Sequence, residues 1–410
     1  MTARIFILMF VMLNQAQVFS REKSVIIGFK QTPGPTDKAL VHRARAVIRR
    51  SYQLIPAVAA SLPAEEIDAL RENCNIAYVE EDTVYTAAPE TLTTEQYDRA
   101  WGVGHIFAQC AHAKGYRGRG INVAVIDTGI DHTHEDLIAN YRGGYDFVFN
   151  DDDPFDDSFD GHGTYVAGII AAEDNDIGIV GVAPEVNLYA LKVLDGAGFG
   201  LVEWIVAAID WAVLNGMDVI NVSIEGPHRQ ALQDACDKAY RAGVLLVGSG
   251  GNSLIGGGPV TYPAAYDSVI AVTATDSADI PGYFAPIGDQ LELAAPGVSV
   301  LSTIAGGGYD LISGTSIAAP HVTGAVALLL SAIPEDLCGE AQITPEDVRL
   351  TLQSTAVDLG EVGKDELYGY GLVDASVPDI PLPFAGPSES PRAGDAAEIG
   401  LAPDNQGGGE

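Results

Sequence analysis

Basic side chains are scarce in this sequence. Its 410 residues include 22 lysines and arginines against 56 aspartates and glutamates, a formal net charge of −34. Residues 21–95 carry 9 basic and 11 acidic side chains, whereas residues 96–410 carry 12 and 45, so the acidity belongs to the later part. Such a surface disfavours partners that are themselves anionic, namely nucleic acids and anionic membranes. It fits general solubility as well as high salt or abundant calcium, and the sequence leaves these alternatives open.

Cysteine is also rare. The four cysteines are too few and too scattered for a disulfide framework or a zinc site. They are Cys74, Cys110, Cys236 and Cys338. The sequence leaves open whether two of the last three cysteines form a disulfide bridge.

Long apolar runs are missing as well. The run Ile5–Leu13, which follows Arg4, is too short to span a bilayer and is typical of a secretory signal in residues 1–20. No later segment has the composition of a membrane span. We therefore expect a secreted, extracellular protein without stable membrane insertion.

Three further regions follow the signal. Residues 21–90 predict a small α+β unit, and residues 96–375 predict a larger α/β domain. In the first unit the patterns indicate strands at Ser24–Phe29 and Ile76–Tyr85 and helices at Ala39–Arg50 and Pro63–Glu72. Residues 376–410 are rich in proline, glycine, alanine and acidic side chains, which predicts a flexible tail.

Buried strands alternate with amphipathic helices from Ile121 onward. The strand patterns are INVAVID, NLYALKVL, DVINVSI, VLLVGSG and SVIAVTAT. The helix patterns are HGTYVAGIIAA, VEWIVAAIDWAVLNG, QALQDACDKAYRAG and GTSIAAPHVTGAVALLL. This alternation predicts a parallel sheet with helices on both faces, whose functional site lies at the carboxyl ends of the strands.

Three chemically useful side chains fall at that edge. Asp127 ends a strand, His162 opens a helix and Ser316 opens another. Serine becomes a good nucleophile when a base takes its proton, and a carboxylate fixes the tautomer of that base. A serine at a helix start also presents its own N–H to a developing oxyanion, and the Asn252 side chain offers a second donor. Pro320 is expected in the first helical turn, where its missing N–H has little use.

Each of these residues also has an ordinary structural explanation. Asp127 could cap a turn, His162 could be a core histidine, Asn252 a turn residue, and Ser316 a helix N-cap. All four explanations would have to hold together, and the order of the motifs argues against that coincidence.

With these motifs in view, the chain resembles the subtilisin-like serine proteases over roughly residues 96–375. The resemblance implies a three-layer α/β fold in which helices flank a mostly parallel sheet, preceded by a small α+β propeptide that inhibits the enzyme and assists its folding. It further implies that Asp127 orients His162, that His162 acts as general base and then acid, and that Ser316 attacks. Asn252 and the Ser316 N–H would bind the oxyanion.

The resemblance also suggests where a substrate binds. The segment Ser223, Ile224, Glu225 and Gly226 matches the strand that pairs with the substrate backbone. The other expected contacts are Val202 and Ile205, which with Ile224 form an apolar subsite, Gly250, and Thr261 in the main specificity pocket. Thr261 is expected to shorten that pocket and to favour small or medium apolar residues. Glu225 either attracts a basic residue or is an ordinary solvated carboxylate.

Calcium is the ion that the resemblance implies. The loop Glu173–Gly181 would supply the Asn175 side chain and the carbonyls of Glu173, Ile177 and Ile179, with a carboxylate from Asp136. Gln96 is an approximate match to a further ligand. The six aspartates within 151–160 suggest either a second calcium site or an acidic surface loop.

We therefore predict a secreted, calcium-stabilised serine endopeptidase, made as a proenzyme that cuts itself between Tyr85 and Glu95. Its partners would be protein or peptide substrates and its own propeptide, and we expect a monomer. Two alternatives stay open, a processing protease of narrow specificity and a binding module that has kept the protease fold.

Overall fold

The computed structural model of the protein describes residues 22–87, 100–253, 256–333 and 343–377. The first elements in chain order are β1 (Glu22–Phe29), α1 (Pro35–Arg43), β2 (Val47–Ser51), β3 (Ala57–Pro63), a 3₁₀ turn (Ala64–Glu66), α2 (Ile67–Arg71), β4 (Ile76–Glu81) and β5 (Val84–Ala87). The strands β2, β3, β1 and β4, in that spatial order, form an antiparallel sheet. One face of this sheet packs on both helices through an apolar cluster that includes Val25, Val41 and Leu70. This is the α+β unit that the sequence predicts.

One predicted helix of this unit is wrong in its second half. The helix expected over Ala39–Arg50 ends at Arg43, and residues 47–51 form strand β2 instead. Arg45 has a φ of 58°, in the left-handed region, so the helix cannot continue through it. The residues of β2 alternate between exposed and half-buried, as on an edge strand.

The larger domain contains the remaining elements. Its strands are β6 (Asn122–Asp127), β7 (Tyr141–Asp146), β8 (Asn187–Lys192), β9 (Phe199–Leu201), β10 (Val219–Val222), β11 (Ile224–Glu225), β12 (Leu245–Ser249), β13 (Val269–Thr275), β14 (Leu293–Pro296), β15 (Val300–Thr303) and β16 (Tyr309–Ile312). Its helices are α3 (Trp101–His105), α4 (Ala108–Ala113), α5 (His162–Ala171), α6 (Val202–Leu214), α7 (Gln230–Arg241), α8 (Thr315–Ser331) and α9 (Pro345–Thr355).

Seven of these strands form a wholly parallel sheet in the order β14, β13, β12, β10, β6, β8 and β7. Alternate residues of each central strand point to opposite faces. Val123 and Val125 of β6 pack with α5 and α8, whereas Ala124 and Ile126 pack with α6 and α7. Both faces are therefore buried, and the prediction of a parallel sheet between two helical layers is confirmed.

Helix α8 runs through the middle of the domain. All of its residues from Thr315 to Leu329 are buried, which explains why its sequence has no polar face. The sheet brings the carboxyl ends of β6, β10 and β12 to one edge, beside the start of this helix.

Strand β5 leaves the N-terminal unit and enters the larger domain. It pairs antiparallel with β11 on one side and β9 on the other, as the central strand of a three-stranded sheet. The strand predicted over Ile76–Tyr85 is therefore two strands, the first in the N-terminal sheet and the second in this cleft.

Several sequence predictions fall partly or wholly outside the described residues. These are the signal in 1–20, Gln96, most of the cut region Tyr85–Glu95, Cys338, and nearly all of the tail, from residue 378 onward. Cys110 and Cys236 are both free thiols, the first exposed and the second buried, so no bridge joins them. Within the described ranges, no helix has both the length and the apolar character needed to cross a membrane.

Candidate active site

Asp127 and His162 form a buried ion-pair geometry at the carboxyl edge of the sheet. His162 Nδ1 lies 2.6 Å from Asp127 Oδ1, and neither side chain is exposed to solvent. The same carboxylate oxygen accepts a hydrogen bond of 2.7 Å from the Thr128 backbone N–H. A carboxylate on Nδ1 leaves Nε2 as the ring nitrogen that can exchange a proton with a reacting group.

Two glycines let the start of the His162 helix pack closely against two neighbouring segments, one at Ala305 and one at Gly129. Gly161, which precedes α5, has a φ of 71°, and a Cβ there would lie 2.9 Å from the Ala305 Cβ. A Cβ on Gly163 would lie only 2.1 Å from the Gly129 carbonyl oxygen. The Gly163 N–H then donates to Thr128 Oγ1 at 2.8 Å, which ties α5 to the strand that carries Asp127.

Ser316 is the second residue of α8 and is fully buried. Pro320 was expected in the first turn of this helix. It lies inside the helix instead. Its missing N–H would have bonded to the Ser316 carbonyl in a regular helix. The Ser223 hydroxyl donates to that carbonyl instead, at 2.9 Å.

A buried chain of side chains holds Ser223 in this position. The Asn221 amide donates to Ser223 Oγ at 2.8 Å, and Thr323 Oγ1 donates to the Asn221 carbonyl oxygen at 2.8 Å. All three side chains are buried. These hydrogen bonds therefore join the end of strand β10 to helix α8, which carries Ser316.

Asn252 has a defined amide orientation. Its carbonyl oxygen accepts from the Thr315 N–H at 2.9 Å and from Thr315 Oγ1 at 3.0 Å. Because two donors meet the oxygen, the NH₂ end of the amide points the other way. The residue next to Ser316 thus fixes Asn252 as a hydrogen-bond donor beside the helix start.

The expected substrate strand is paired with a peptide segment in this structure. Ile224 lies opposite Ala87 and Glu225 opposite Thr86, while Thr86 also pairs with Phe199 on the other side. Strand β5 therefore occupies the cleft as an extended peptide would.

The expected apolar subsite forms one cluster. Val202, Ile205 and Ile224 are all fully buried within it, and the Val202 N–H donates to the Thr83 carbonyl at 3.1 Å. The Gly226 N–H donates to the Tyr262 carbonyl at 2.9 Å, which places β11 beside the segment of Thr261.

Thr261 and Glu225 both lie close to Gly251, since a Cβ placed there would be 2.5 Å from Thr261 Oγ1 and 3.1 Å from Glu225 Oε2. Thr261 is half-buried, and its N–H donates to the Gly250 carbonyl at 2.9 Å. Glu225 is half-buried, so its carboxylate keeps part of its contact with solvent. Its side chain turns inward, and its Oε2 accepts from the Asn252 N–H at 3.1 Å.

The predicted calcium residues are partly assembled. Asp136 is fully buried, and its Oδ2 accepts from Tyr309 Oη at 2.8 Å and from the Ile179 N–H at 3.1 Å. Its Oδ1 is buried with no hydrogen-bond donor among the described residues, which suits a cation ligand. Asn175 turns its side-chain oxygen into the same loop, where the Ile177 N–H donates to it at 3.1 Å. Glu173 uses its own carboxylate elsewhere, to accept from the Ala139 N–H.

The aspartates of residues 151–160 do not converge on one point. Asp157 pairs with Lys192 at 2.7 Å, and Asp153 lies 3.1 Å from His132. No group of three or more acidic, histidine or cysteine side chains within the described ranges is arranged to hold a metal. The second calcium site and the acidic surface loop both stay open as predictions for this segment.

Sequence reasoning missed Asp156, a member of that loop. It is buried, and its carboxylate accepts from the Thr164 N–H at 3.0 Å and from Thr164 Oγ1 at 2.6 Å, near the start of α5. Burial raises the pKa of Asp156, and four hydrogen-bond donors from Thr164 and Ser158 partly offset that effect. An acidic residue shortly before a helix start was the signal that could have found it.

A buried carboxylate and imidazole pair, a serine in the first turn of a neighbouring helix and an oriented amide donor together form the arrangement of a serine hydrolase. A family model described as "Subtilase family" matches residues 118–371, and one described as "Peptidase inhibitor I9" matches residues 14–88. The chain belongs to the subtilase family. It is a serine endopeptidase with an inhibitor-type propeptide at its N-terminus, so the recognition made from the sequence is confirmed.

Known proteases are similar in sequence to most of this chain. Subtilisin NAT of Bacillus subtilis subsp. natto and Subtilisin E of Bacillus subtilis (strain 168) are each 41% identical over 362 residues, which is 87% of this chain and 90% of theirs. Among solved structures, fervidolysin from Fervidobacterium pennivorans, a keratinolytic enzyme related to subtilisin, matches with a TM-score of 0.78 and 29% identity. That match covers 89% of this chain but only 62% of the fervidolysin chain.

Proposed function

We propose that this chain is a secreted endopeptidase that hydrolyses peptide bonds through Asp127, His162 and Ser316 and is made as a self-processing proenzyme. The observation that carries the proposal is the buried contact of 2.6 Å between His162 Nδ1 and Asp127 Oδ1. This contact lies at the edge of the sheet near the start of α8, whose second residue is Ser316.

In the proposed reaction, Ser316 Oγ attacks the carbonyl carbon of the substrate while His162 Nε2 takes its proton. Asp127 stabilises the imidazolium that forms, and His162 then donates the proton to the leaving amine. The negative oxygen of the tetrahedral intermediate accepts from the Asn252 NH₂ and the Ser316 N–H. Water repeats the sequence on the acyl-enzyme and releases Ser316.

The propeptide is proposed to inhibit the enzyme by occupying the cleft until it is cut and released. Strand β5 supports this role, because it fills the space between β9 and β11 with main-chain hydrogen bonds. Release of β5 would free both strands for substrates.

Calcium is proposed as a structural ion, held by the side chains of Asp136 and Asn175 and by the carbonyls of Glu173, Ile177 and Ile179. When bound, it would brace the loop of residues 173–181 against the segment of Asp136 with hard oxygen ligands. The buried Asp136 Oδ1 supports this assignment.

The experiment compares wild type with Ser316→Ala, with calcium present. We expect the wild-type protein to lose the segment before about residue 96 and to digest casein, whereas Ser316→Ala stays uncut and inert. Ser354→Ala, a serine on the outer helix α9, is the matched control and should behave as wild type. A Ser316→Ala protein that still digests casein would overturn the proposal.

A further inference from the structure

The Glu225 side chain reaches across the cleft toward the oxyanion residue. Its Oε2 accepts from the Asn252 N–H, and a Cβ placed on Gly251 would lie 3.1 Å from that oxygen. The same Cβ would lie 2.5 Å from Thr261 Oγ1. One carboxylate and one hydroxyl therefore line the gap between β11 and residues 250–252.

This gap is where the side chain of the residue before the cleaved bond must enter. Its two walls flank the nucleophile, because Ser223 binds the Ser316 carbonyl and Asn252 binds Thr315. In the register of β5, Ala87 lies opposite Ile224, so the next residue of a bound chain comes opposite Ser223, beside Ser316.

The Glu225 carboxylate has no cationic neighbour to balance it. No ion pair reaches it within the described ranges, and the Asn252 N–H is the hydrogen-bond donor that it has there. Burial raises the pKa of Glu225, and the bond from Asn252 only partly offsets that cost.

We propose that Glu225 is a specificity-determining residue that favours lysine or arginine at the position before the cleaved bond. This inference rests on the proposed protease function. A long cationic side chain can pass its thin aliphatic stem between the walls, pair with the carboxylate and donate to the Thr261 hydroxyl. A large apolar side chain would desolvate the carboxylate without replacing its lost water. The polar lining thus selects against the apolar residues that Thr261 alone had suggested.

The test uses the processed wild-type enzyme and peptides that differ only at this position, with lysine, glutamine, leucine or phenylalanine. We expect kcat/KM for the lysine peptide to exceed that for the glutamine peptide at least tenfold. In Glu225→Gln, which keeps the side-chain size and an oxygen for the Asn252 N–H, this ratio should fall close to one.

A matched control separates this local effect from general attraction by an acidic protein. Glu135→Gln removes the same charge from an exposed site and should keep the wild-type ratio. The ratio should also persist at high salt, which screens long-range attraction more than a contact ion pair.

Labelling of Ser316 by a fluorophosphonate shows whether each variant is a folded, competent enzyme. A labelled wild-type enzyme that cleaves lysine and glutamine peptides equally would overturn the inference alone, as would an unchanged preference in labelled Glu225→Gln. A wild-type protein that neither reacts with the probe nor cleaves any peptide would overturn the proposed function and the inference with it.

Discussion

Replacing Arg49 with methionine should weaken the hold of the propeptide on the enzyme. Arg49 lies on strand β2 of the propeptide, 3.2 Å from Asp82 of the same unit and 2.7 Å from Glu203 of the protease domain. The two carboxylates are almost fully buried, with 0% and 8% of their side chains exposed. Without the guanidinium the two carboxylates would face each other, with Arg50 as the cation that remains near Glu203.

The magnitude follows from this burial. Removing one partner of a buried, hydrogen-bonded charge pair costs about 2–5 kcal/mol in binding. The contact of Arg49 with Glu203 is an ion pair without a hydrogen bond, which favours a smaller cost. Since 31% of the Arg49 side chain is exposed, water can reach the site and partly solvate the carboxylates when Arg49 is removed. The low end of that range of binding free energy therefore applies. A cost of about 2 kcal/mol corresponds to a roughly 30-fold larger inhibition constant.

The assay titrates processed enzyme with the separate propeptide, residues 21–88, and follows hydrolysis of a fluorogenic peptide at pH 7. Arg45→Met is the matched control, because the ion pairs of Arg45 in the described part of the chain are with Glu65 and Glu66 of the propeptide itself, on its exposed side. It should change inhibition less than about twofold. Combining Arg49→Met with Glu203→Gln should recover part of the loss, since one of the stranded charges is then gone. An Arg49→Met propeptide that inhibits as strongly as wild type would refute the reasoning.

Three further predictions concern other contacts. Burial raises the pKa of Glu203 in the complex, so the complex binds a proton more readily than the separated propeptide and enzyme do. Inhibition should therefore weaken as the pH rises from about 4.5 through the raised pKa. Glu203→Gln should flatten this pH dependence between pH 5 and 8, and a slope as steep as that of wild type would contradict the prediction. Ser223→Ala should lower the free energy of unfolding by about 1–3 kcal/mol in urea, because it removes the hydrogen bond from Ser223 Oγ to the Ser316 carbonyl and Pro320 has no N–H to replace that donor; a loss below about 0.5 kcal/mol would argue against that role. In the inactive Ser316→Ala background, a calcium chelator should lower Tm by about 5 °C or more relative to calcium at 100 times its Kd, and equal sensitivity in Asp136→Asn would exclude the proposed site.

Much of the fold was predictable because the parallel sheet is buried on both faces. Its strands appear as short apolar runs, and the residues that follow them, such as Asp127, mark the carboxyl edge. Strand β2 was missed because its basic residues fit a helix pattern equally well, and only the left-handed backbone at Arg45 separates the two. Local sequence does not reveal such a break.

The supporting residues of the site were harder to find. Asn221 lies in a buried strand, where its sequence neighbours do not indicate that it binds Ser223. The direction of the Glu225 side chain depends on Asn252, which is distant in sequence. The motifs pointed to Asp127 and His162, which the structure brings into contact, but the contacts that orient the site residues arise from tertiary packing.

The placement of β5 between β9 and β11 has a consequence for how the processed enzyme behaves in solution. Release of the propeptide leaves two unpaired strand edges, a feature that commonly promotes association between molecules. These edges face each other across a space one strand wide, about 10 Å from backbone to backbone. A single extended chain fits this space and satisfies both edges, but the edge of another folded sheet does not. After such a release, the cleft would admit a single extended polypeptide and would exclude the edge of another folded sheet.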